Sequence, residues 1–385
     1  MKTNFKLLLL VIVLASITAC NAKTKNKDFA LYKTEKKDSE PKNQCIKVAL
    51  LLDTSNSMDG LIDQAKAQLW DLVNELSYAK CGTKKPNLEI ALYEYGNDRL
   101  NSYEGYIKQV LAFSDDLDEI SKELFSLTTN GGEEYCGQVI KTSLNQLNWG
   151  TNADDLKLIF IAGNEPFTQG KVNYKNVAIN AKEKGITINT IFCGNYKQGI
   201  VTNWKDGADI TYGDYMAINQ NNKTVHIASP YDDDILLLNQ KLNKTYVAYG
   251  QKGRQKTELQ AEQDSNARYY SKANAVKRTV SKSSHLYKNK SWDLVDAIEQ
   301  DEVDLEDIEE SQLPTELKGK TEVEIKKYVT KKGEERVNIQ KQIQELNAKR
   351  KEYVLNQKKN NTNNLENAMT KAIKEQAKKK KYTWN

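Results

Sequence analysis

Between Cys45 and about Gly250 the chain alternates two apolar patterns. Four short runs, CIKVALLLD (45–53), NLEIALYEYG (87–96), LKLIFIAG (156–163) and ITINTIFCG (186–194), are apolar at odd and even positions alike and rich in β-branched residues. That is the mark of strands buried on both faces. Between them, GLIDQAKAQLWDLVNELS repeats Leu61, Ala65, Leu69, Leu72 and Leu76 at steps of three and four, which predicts an amphipathic helix. DDLDEISKELFSL, YCGQVIKTSLNQL and NVAINAKEKG read the same way, the last closed by a glycine in C-cap position. YDDDILLLNQKLNKTYVAYG supplies the last helix of the unit. Strand, helix, strand, helix is the order of an α/β unit, a mostly parallel sheet with helices on both faces, here over residues 45–250.

Beyond Gly250 the strand signals stop, and residues 251–385 read as an α-helical C-terminal extension. ELQAEQDSNARYYSKANAVKRTVSK predicts one helix with a weak stripe through Leu259, Tyr270, Ala273, Val276 and Val280. An acidic block, DLVDAIEQDEVDLEDIEESQ, reads as a solvated face and LPTELKG as a break. From Glu322 to about Gln357 a second helix carries Ile339, Ile343, Leu346 and Tyr353 at roughly coiled-coil spacing. That seam serves either an oligomer or an intramolecular hairpin. The tail, KEQAKKKKYTWN, is basic; Lys378 to Lys381 read as a solvated end, with anionic headgroups as an alternative contact.

Composition adds little to this layout. With 385 residues, 39% hydrophobic and 28% charged, the chain has room for a packed core and a polar remainder. A net charge of +5 gives no general argument for nucleic acid. The N-terminus changes the picture more. MKTNFKLLLLVIVLASITAC sets Lys2 and Lys6 before an apolar run and small residues, the order of a secretory signal, and the run is shorter than the roughly 20 residues of a spanning helix. Its last four residues, Ile17-Thr18-Ala19-Cys20, resemble the lipobox of bacterial lipoproteins. The resemblance implies a signal over residues 1–20, a lipidated Cys20 and a cell-envelope location anchored to the membrane. Asn21, where an Asp would suggest inner-membrane retention, favours the outer membrane. Residues 21–44, lysine-rich and nearly free of apolar side chains, read as a disordered tether.

Candidate chemistry gathers where the first strand ends. In LLLDTSNSM, Asp53 sits at the C-terminal end of a strand, the edge where open parallel α/β sheets bind ligands. An ordinary helix cap would use one side chain, Asp53 or Ser57. Asp53, Ser55 and Ser57 together, alternating so that a turn could bring three oxygens to one point, suit a hard divalent cation, Mg²⁺ first and Ca²⁺ or Mn²⁺ as alternatives.

Asp53-x-Ser55-x-Ser57, after an apolar strand and before a long amphipathic helix, resembles the metal ion-dependent adhesion site (MIDAS) of von Willebrand factor type A (VWA) domains. The resemblance covers Cys45 to about Gly250 and implies a VWA-like, Rossmann-type sheet. In that family both serines contact the metal, the aspartate often acts through water, a second loop adds an oxygen, commonly from Thr, and a third loop adds an Asp. A partner protein's Glu or Asp completes the shell. Here the second loop is LTTNGGEEYCG: after Gly131-Gly132 stands Glu133, then Glu134, and Thr128 or Thr129 is left to supply a hydroxyl. The third loop offers Gly163-Asn164-Glu165 where Thr-Asp-Gly is common. The implied ligand set is Asp53, Ser55, Ser57, Thr129 and Glu134, with Glu165 as a third-loop substitute. Acids capping the helix after Tyr135 are the alternative. In this fold Cys136 and Cys193 fall near the ligand edge and Cys45 and Cys81 at the other, so disulfides Cys45–Cys81 and Cys136–Cys193 are expected in an oxidising compartment.

The resemblance implies a protein-binding module, its partner an unidentified envelope or extracellular protein. An envelope scaffold assembled through the C-terminal helices is the alternative. An enzyme is not expected: aspartate-nucleophile phosphoester hydrolases place a second Asp where this chain has Ser55, and the two histidines, His226 and His285, read as a strand residue and a solvated side chain rather than as bases.

Overall fold

The computed structural model of the chain describes residues 44–219, 227–357 and 365–384. The expected signal, Cys20, the tether ahead of Gln44, and His226 lie outside the described residues. Each of the four two-face apolar runs is a strand. The elements run β1 (Cys45–Asp53), α1 (Asp59–Leu76), β2 (Ala79–Cys81), β3 (Asn87–Tyr95), β4 (Ile107–Ser114), α2 (Leu117–Ser126), α3 (Cys136–Gln146), β5 (Leu156–Gly163), α4 (Tyr174–Glu183), β6 (Ile186–Cys193), α5 (Tyr196–Val201), α6 (Trp204–Asp209) and β7 (Tyr215–Ile218). The main sheet has the order β4-β3-β1-β5-β6-β7, parallel except for the antiparallel edge strand β4. The parallel strands therefore all end on one edge, at Asp53, Tyr95, Gly163 and Cys193, and all begin on the other, at Cys45, Asn87, Leu156 and Ile186.

Strand alternation assigns the core residues to two layers. Ile46, Val48, Leu50 and Leu52 of β1 pack beneath α1 and α2, whereas Ala49 and Leu51 pack against α3, α4 and α6. The pattern gave no warning of β4. It is half-exposed, carries Lys108 and Gln109, and shifts register against β3, as an edge strand with one wet side can.

The extension belongs to the same compact body. After α7 (Asp232–Asn243), the last helix of the α/β unit, it comprises α8 (Gly250–Tyr270), α9 (Lys272–Lys282), α10 (Leu294–Glu299), α11 (Glu322–Gln357), α12 (Leu365–Lys378) and β8 (Tyr382–Trp384). Several expectations are corrected here. The single helix through Tyr270 and Val280 is two, because Ser271 takes an extended conformation and its hydroxyl caps α9 by accepting from the Asn274 N–H. The coiled-coil seam is used internally: Ile343 is fully buried among Ile235, Leu238 and Leu242 of α7 and Val276 and Val280 of α9, with Ile339 and Leu346 alongside. The acidic block is partly interior. Asp293 and Asp296 both bind the buried Arg336 of α11, Asp293 at 2.7 Å, and Leu294 and Val295 enter a small core. Nor is the tail merely a solvated end. α12 lays Ala372, Ile373 and Ala377 on the α1 side of the sheet beside Ile191 and Ile218, and β8 pairs antiparallel with β2. Among the described residues no helix is long and apolar enough to cross a membrane.

Two buried ion networks fasten the extension down. Arg278 of α9 binds Asp118 of α2 and Asp264 of α8, each at 2.7 Å, and Lys282 binds Asp264 at 2.9 Å. Arg350 of α11 binds Asp232 of α7 at 2.9 Å. His285 is half-buried rather than solvated. It makes a hydrogen bond to the Pro86 carbonyl at 3.3 Å, and its pKa is lowered to about 4 by burial first, despite that bond.

The four described cysteines are free thiols, which overturns the expected Cys45–Cys81 and Cys136–Cys193 disulfides. The sheet lies between the members of each pair. Cys136 sits in the layer of α3 and α4 and Cys193 in the layer of α1. Cys45 has the parity of Ala49 and Leu51, while Cys81 packs with the α1 layer.

The internal use of the α11 seam has a measurable consequence. Ile343→Ala is expected to lower stability in a denaturant titration by about 2–5 kcal/mol, while Val337→Ala, at a position 61% exposed on the same helix, should stay within about 0.5 kcal/mol.

Candidate metal centre

The site is built at the edge where the parallel strands end. Asp53 closes β1 with no exposed surface. The turn after it is tied to β3, since the Thr54 N–H and hydroxyl both donate to the Tyr95 carbonyl, at 2.8 and 3.2 Å. The Ser55 N–H donates to Asp53 Oδ1 at 2.7 Å, curling the chain back so that Ser55 Oγ and Ser57 Oγ stand 3.3 Å apart. Neither serine nor Asp53 caps α1: its N-cap position is Met58, and no side chain bonds to the cap. The three oxygens are thus spent on something other than starting the helix.

The second loop brings Glu134 against them. Asp98 N–H donates to Gly131 O, Asn130 N–H to Thr54 O, and the Asn97 side-chain amide to Thr128 O, so the loop is moored to both strand ends. Glu134 is 5% exposed, and its carboxyl lies within electrostatic reach of that of Asp53. Gly96, at φ +78°, makes the approach possible: a Cβ there would stand 2.8 Å from both Asp53 Oδ1 and Glu134 Cγ. The third loop starts at Gly163, where a Cβ would meet the Tyr95 hydroxyl at 2.6 Å and Asp53 Oδ2 at 3.1 Å. Its Asn164 side chain donates to Ser57 Oγ at 3.2 Å, and the Glu165 backbone, near the Glu134 carboxyl, works against the rise of its pKa.

Of the expected ligands, Asp53, Ser55, Ser57 and Glu134 converge. Thr129 does not, because its hydroxyl donates to Asp59 in the first turn of α1. The Glu165 side chain is exposed, and only its backbone and its charge reach Glu134. Sequence reasoning left Asn164, Tyr95 and Gly96 unassigned. The signal for the glycines was present, since two strands that flank Asp53, YEYG and FIAG, end in Gly at the same edge.

Electrostatics set the chemical character of the site. Burial, first, and then the neighbouring Glu134 carboxyl push the Asp53 pKa well up, only partly offset by the Ser55 N–H. Burial likewise raises Glu134. Asp53 Oδ2, Glu134 Oε2 and Asn164 Oδ1 are buried oxygens with no donor. Among the described residues no three of His, Cys, Asp and Glu form a metal-binding group, so the donor set is two carboxylates with hydroxyl and amide oxygens. Such a set fits a hard divalent cation and would suit a soft one poorly.

The folded pKa values of Asp53 and Glu134 lie above their unfolded ones, so the folded chain holds extra protons. Their contribution to stability is present below about pH 4 and is lost as pH rises through the folded values. In chelator, melting temperatures followed from acidic to neutral pH should show Asp53→Asn gaining on the unsubstituted chain as pH rises. Parallel curves would refute the strained pair.

Residues 47–203 match the profile of the von Willebrand factor type A domain. A comparison with curated proteins finds no match. Among solved structures the chain is similar to the conserved hypothetical protein BatB from Bacteroides thetaiotaomicron, at 16% identity and TM-score 0.35 over 45% of this chain and 90% of that one. The SpRpn10 VWA domain gives 15% identity and TM-score 0.35 over 46% of this chain and 90% of that one. Proximal thread matrix protein 1 from mussel byssus, solved with a zinc-occupied MIDAS motif, gives 13% and 0.33 over 46% and 41%. From β1 to the turn before α6, residues 47–203 of this chain are a von Willebrand factor type A domain.

Proposed function

We propose that this domain captures a protein partner through a divalent cation held by Asp53, Ser55, Ser57 and Glu134, in a protein anchored to the cell envelope by a lipid on Cys20, with the outer membrane favoured. Von Willebrand A domains mediate protein–protein interactions, which supports a protein partner in general. The observation that carries the metal is the buried pair of carboxylates crowded against Gly96, each with an oxygen that no donor satisfies. Two like charges so placed need a proton or a cation between them, and Mg²⁺ suits their hard oxygens, with Ca²⁺ and Mn²⁺ as alternatives.

The same pair sets the character of the bound ion. Two fixed carboxylates would balance a doubly charged cation before any partner arrives, so a partner oxygen would be held by coordination more than by net charge. Asp53 and Glu134 would hold the ion, the two serine hydroxyls would orient it, and Asn164 would position Ser57 through the bond they share. The scaffold alternative loses its motive, because the α11 seam is occupied internally.

Calorimetry with Mg²⁺ should detect binding to the full chain and none to Asp53→Ala. At free ion a hundredfold above Kd the unsubstituted chain should gain about 2.7 kcal/mol of stability. Recovery of a partner from envelope extract should fall with chelator and in Asp53→Ala. Equal recovery in every arm, with no calorimetric heat, would sink the reading.

A further inference from the structure

The edge opposite the metal centre has its own chemistry. β2 and β8 lie beside the starts of β1 and β5. The Lys380 ammonium donates to Ala153 O at 2.5 Å, Cys45 N–H donates to Asp155 Oδ1 at 2.9 Å, and Cys81 and Lys84 close a turn with two backbone bonds. The register of this small ladder, Lys80 opposite Thr383 and Cys81 opposite Tyr382, with Cys81 also bridged to Lys84, brings the stretch that holds Lys80, Lys84 and Lys85 to the same sheet edge as the end of the tail, Lys378 to Lys381. These lysines are separated by about 300 positions in the chain and meet only because the tail returns to β2.

Their charge is uncompensated. Lys371 and Lys374, a turn or two earlier in α12, are paired with Glu375 and Glu75. None of the seven at the edge is in an ion pair among the described residues, and Lys84, Lys85, Lys378, Lys379 and Lys381 are exposed. Exposed acids border this edge as well: Asp154 beside the carbonyl that Lys380 binds, Glu375 a turn before Lys378 and already paired with Lys371, and Asp115 paired with Lys288. The positive potential is felt by neighbours: burial is the main cause that lowers the pKa of His285 and of Lys157, and Lys85 and Lys380 respectively add to it.

We propose that this basic edge docks on the anionic headgroup surface of a bilayer, leaving the metal centre at the far end of the sheet turned away from it. Lysine ammonium groups are point charges suited to phosphate oxygens at a diffuse surface, and each is worth roughly 1 kcal/mol near an anionic membrane. The occupant is chosen by where the chain is joined. Gln44, the first described residue, precedes β1 at this same edge, so the lysine-rich sequence from Cys20 leads into it. That step rests on the lipid-anchor reading; the charge match stands without it.

The test uses residues 21–385, which lack any acyl group and keep the whole described body. Sedimentation with vesicles of equimolar phosphatidylglycerol and phosphatidylethanolamine should carry the protein down, while vesicles of phosphatidylcholine should not. Binding should vanish in about 1 M salt, where the Debye length is about 3 Å. Changing Lys84, Lys85, Lys379 and Lys381 together to Gln should weaken it by roughly fivefold per lysine. The same change at Lys326, Lys327, Lys341 and Lys349, exposed on α11, should leave it intact. Chelator should have no effect, which separates this result from the fate of the metal reading. Equal binding to both vesicle types, equal loss in the α11 variant, or retention by heparin without retention by anionic vesicles would overturn the proposal.

Discussion

Two carboxylates packed together out of reach of water cannot both remain ionised unless something positive joins them, and the upper edge of this sheet is arranged around that constraint. Gly96 and Gly163 give up side chains so that Asp53 and Glu134 can meet. The Tyr95 hydroxyl donates to the Ala162 carbonyl at 2.9 Å. The Ser55 N–H takes one oxygen of Asp53 and leaves the other bare. A fold selected for stability alone would have filled these positions with an amide or an apolar side chain, and local rules are broken in this way mostly where a site works.

What offsets that local cost is the rest of the body. The C-terminal extension is not a spacer hung from the domain, because its helices form part of the layer that covers the sheet. Arg278 bridges α2 to α8 from within the interior, and Arg336 and Arg350 tie α11 to the loop before α10 and to α7. Buried pairs of this kind add less net stability than their contacts suggest, but leaving one member alone costs about 3–5 kcal/mol. Their effect is to fix one packing of helices whose apolar stripes are weak. α8, with no strong apolar face, is held chiefly by Gln260, Gln263 and Asp264 through hydrogen bonds and charge.

How much of this was legible follows from what kind of force sets each element. Strands buried on two faces write themselves as continuous apolar runs, and β1, β3, β5 and β6 were readable to within a residue or two. Asp53, Ser55 and Ser57 were readable because adjacency in sequence is adjacency in space across a tight turn. β4 was hidden because its outer edge is wet, and β2 with β8 because three-residue strands carry no period. The disulfide expectation failed on parity: loop positions placed the cysteines at shared edges, yet the side chains point to opposite faces. Thr129 failed for a related reason, its hydroxyl being captured by Asp59, a contact between loops that no local pattern records.

The return of the tail has a consequence in time as well as in space. Ile191 and Ile218 find cover from Ala372, Ile373 and Ala377, and the sheet-side residue Asn189 finds its partner in Gln376, at 2.6 Å. A chain made from its N-terminus has the parallel strands in hand long before the piece that closes over them exists. Contacts of such sequence separation form late and slowly, so the growing polypeptide carries an uncovered apolar flank until Ala372 to Ala377 have been made and docked, and transiently exposed surface of that kind is prone to association with other chains.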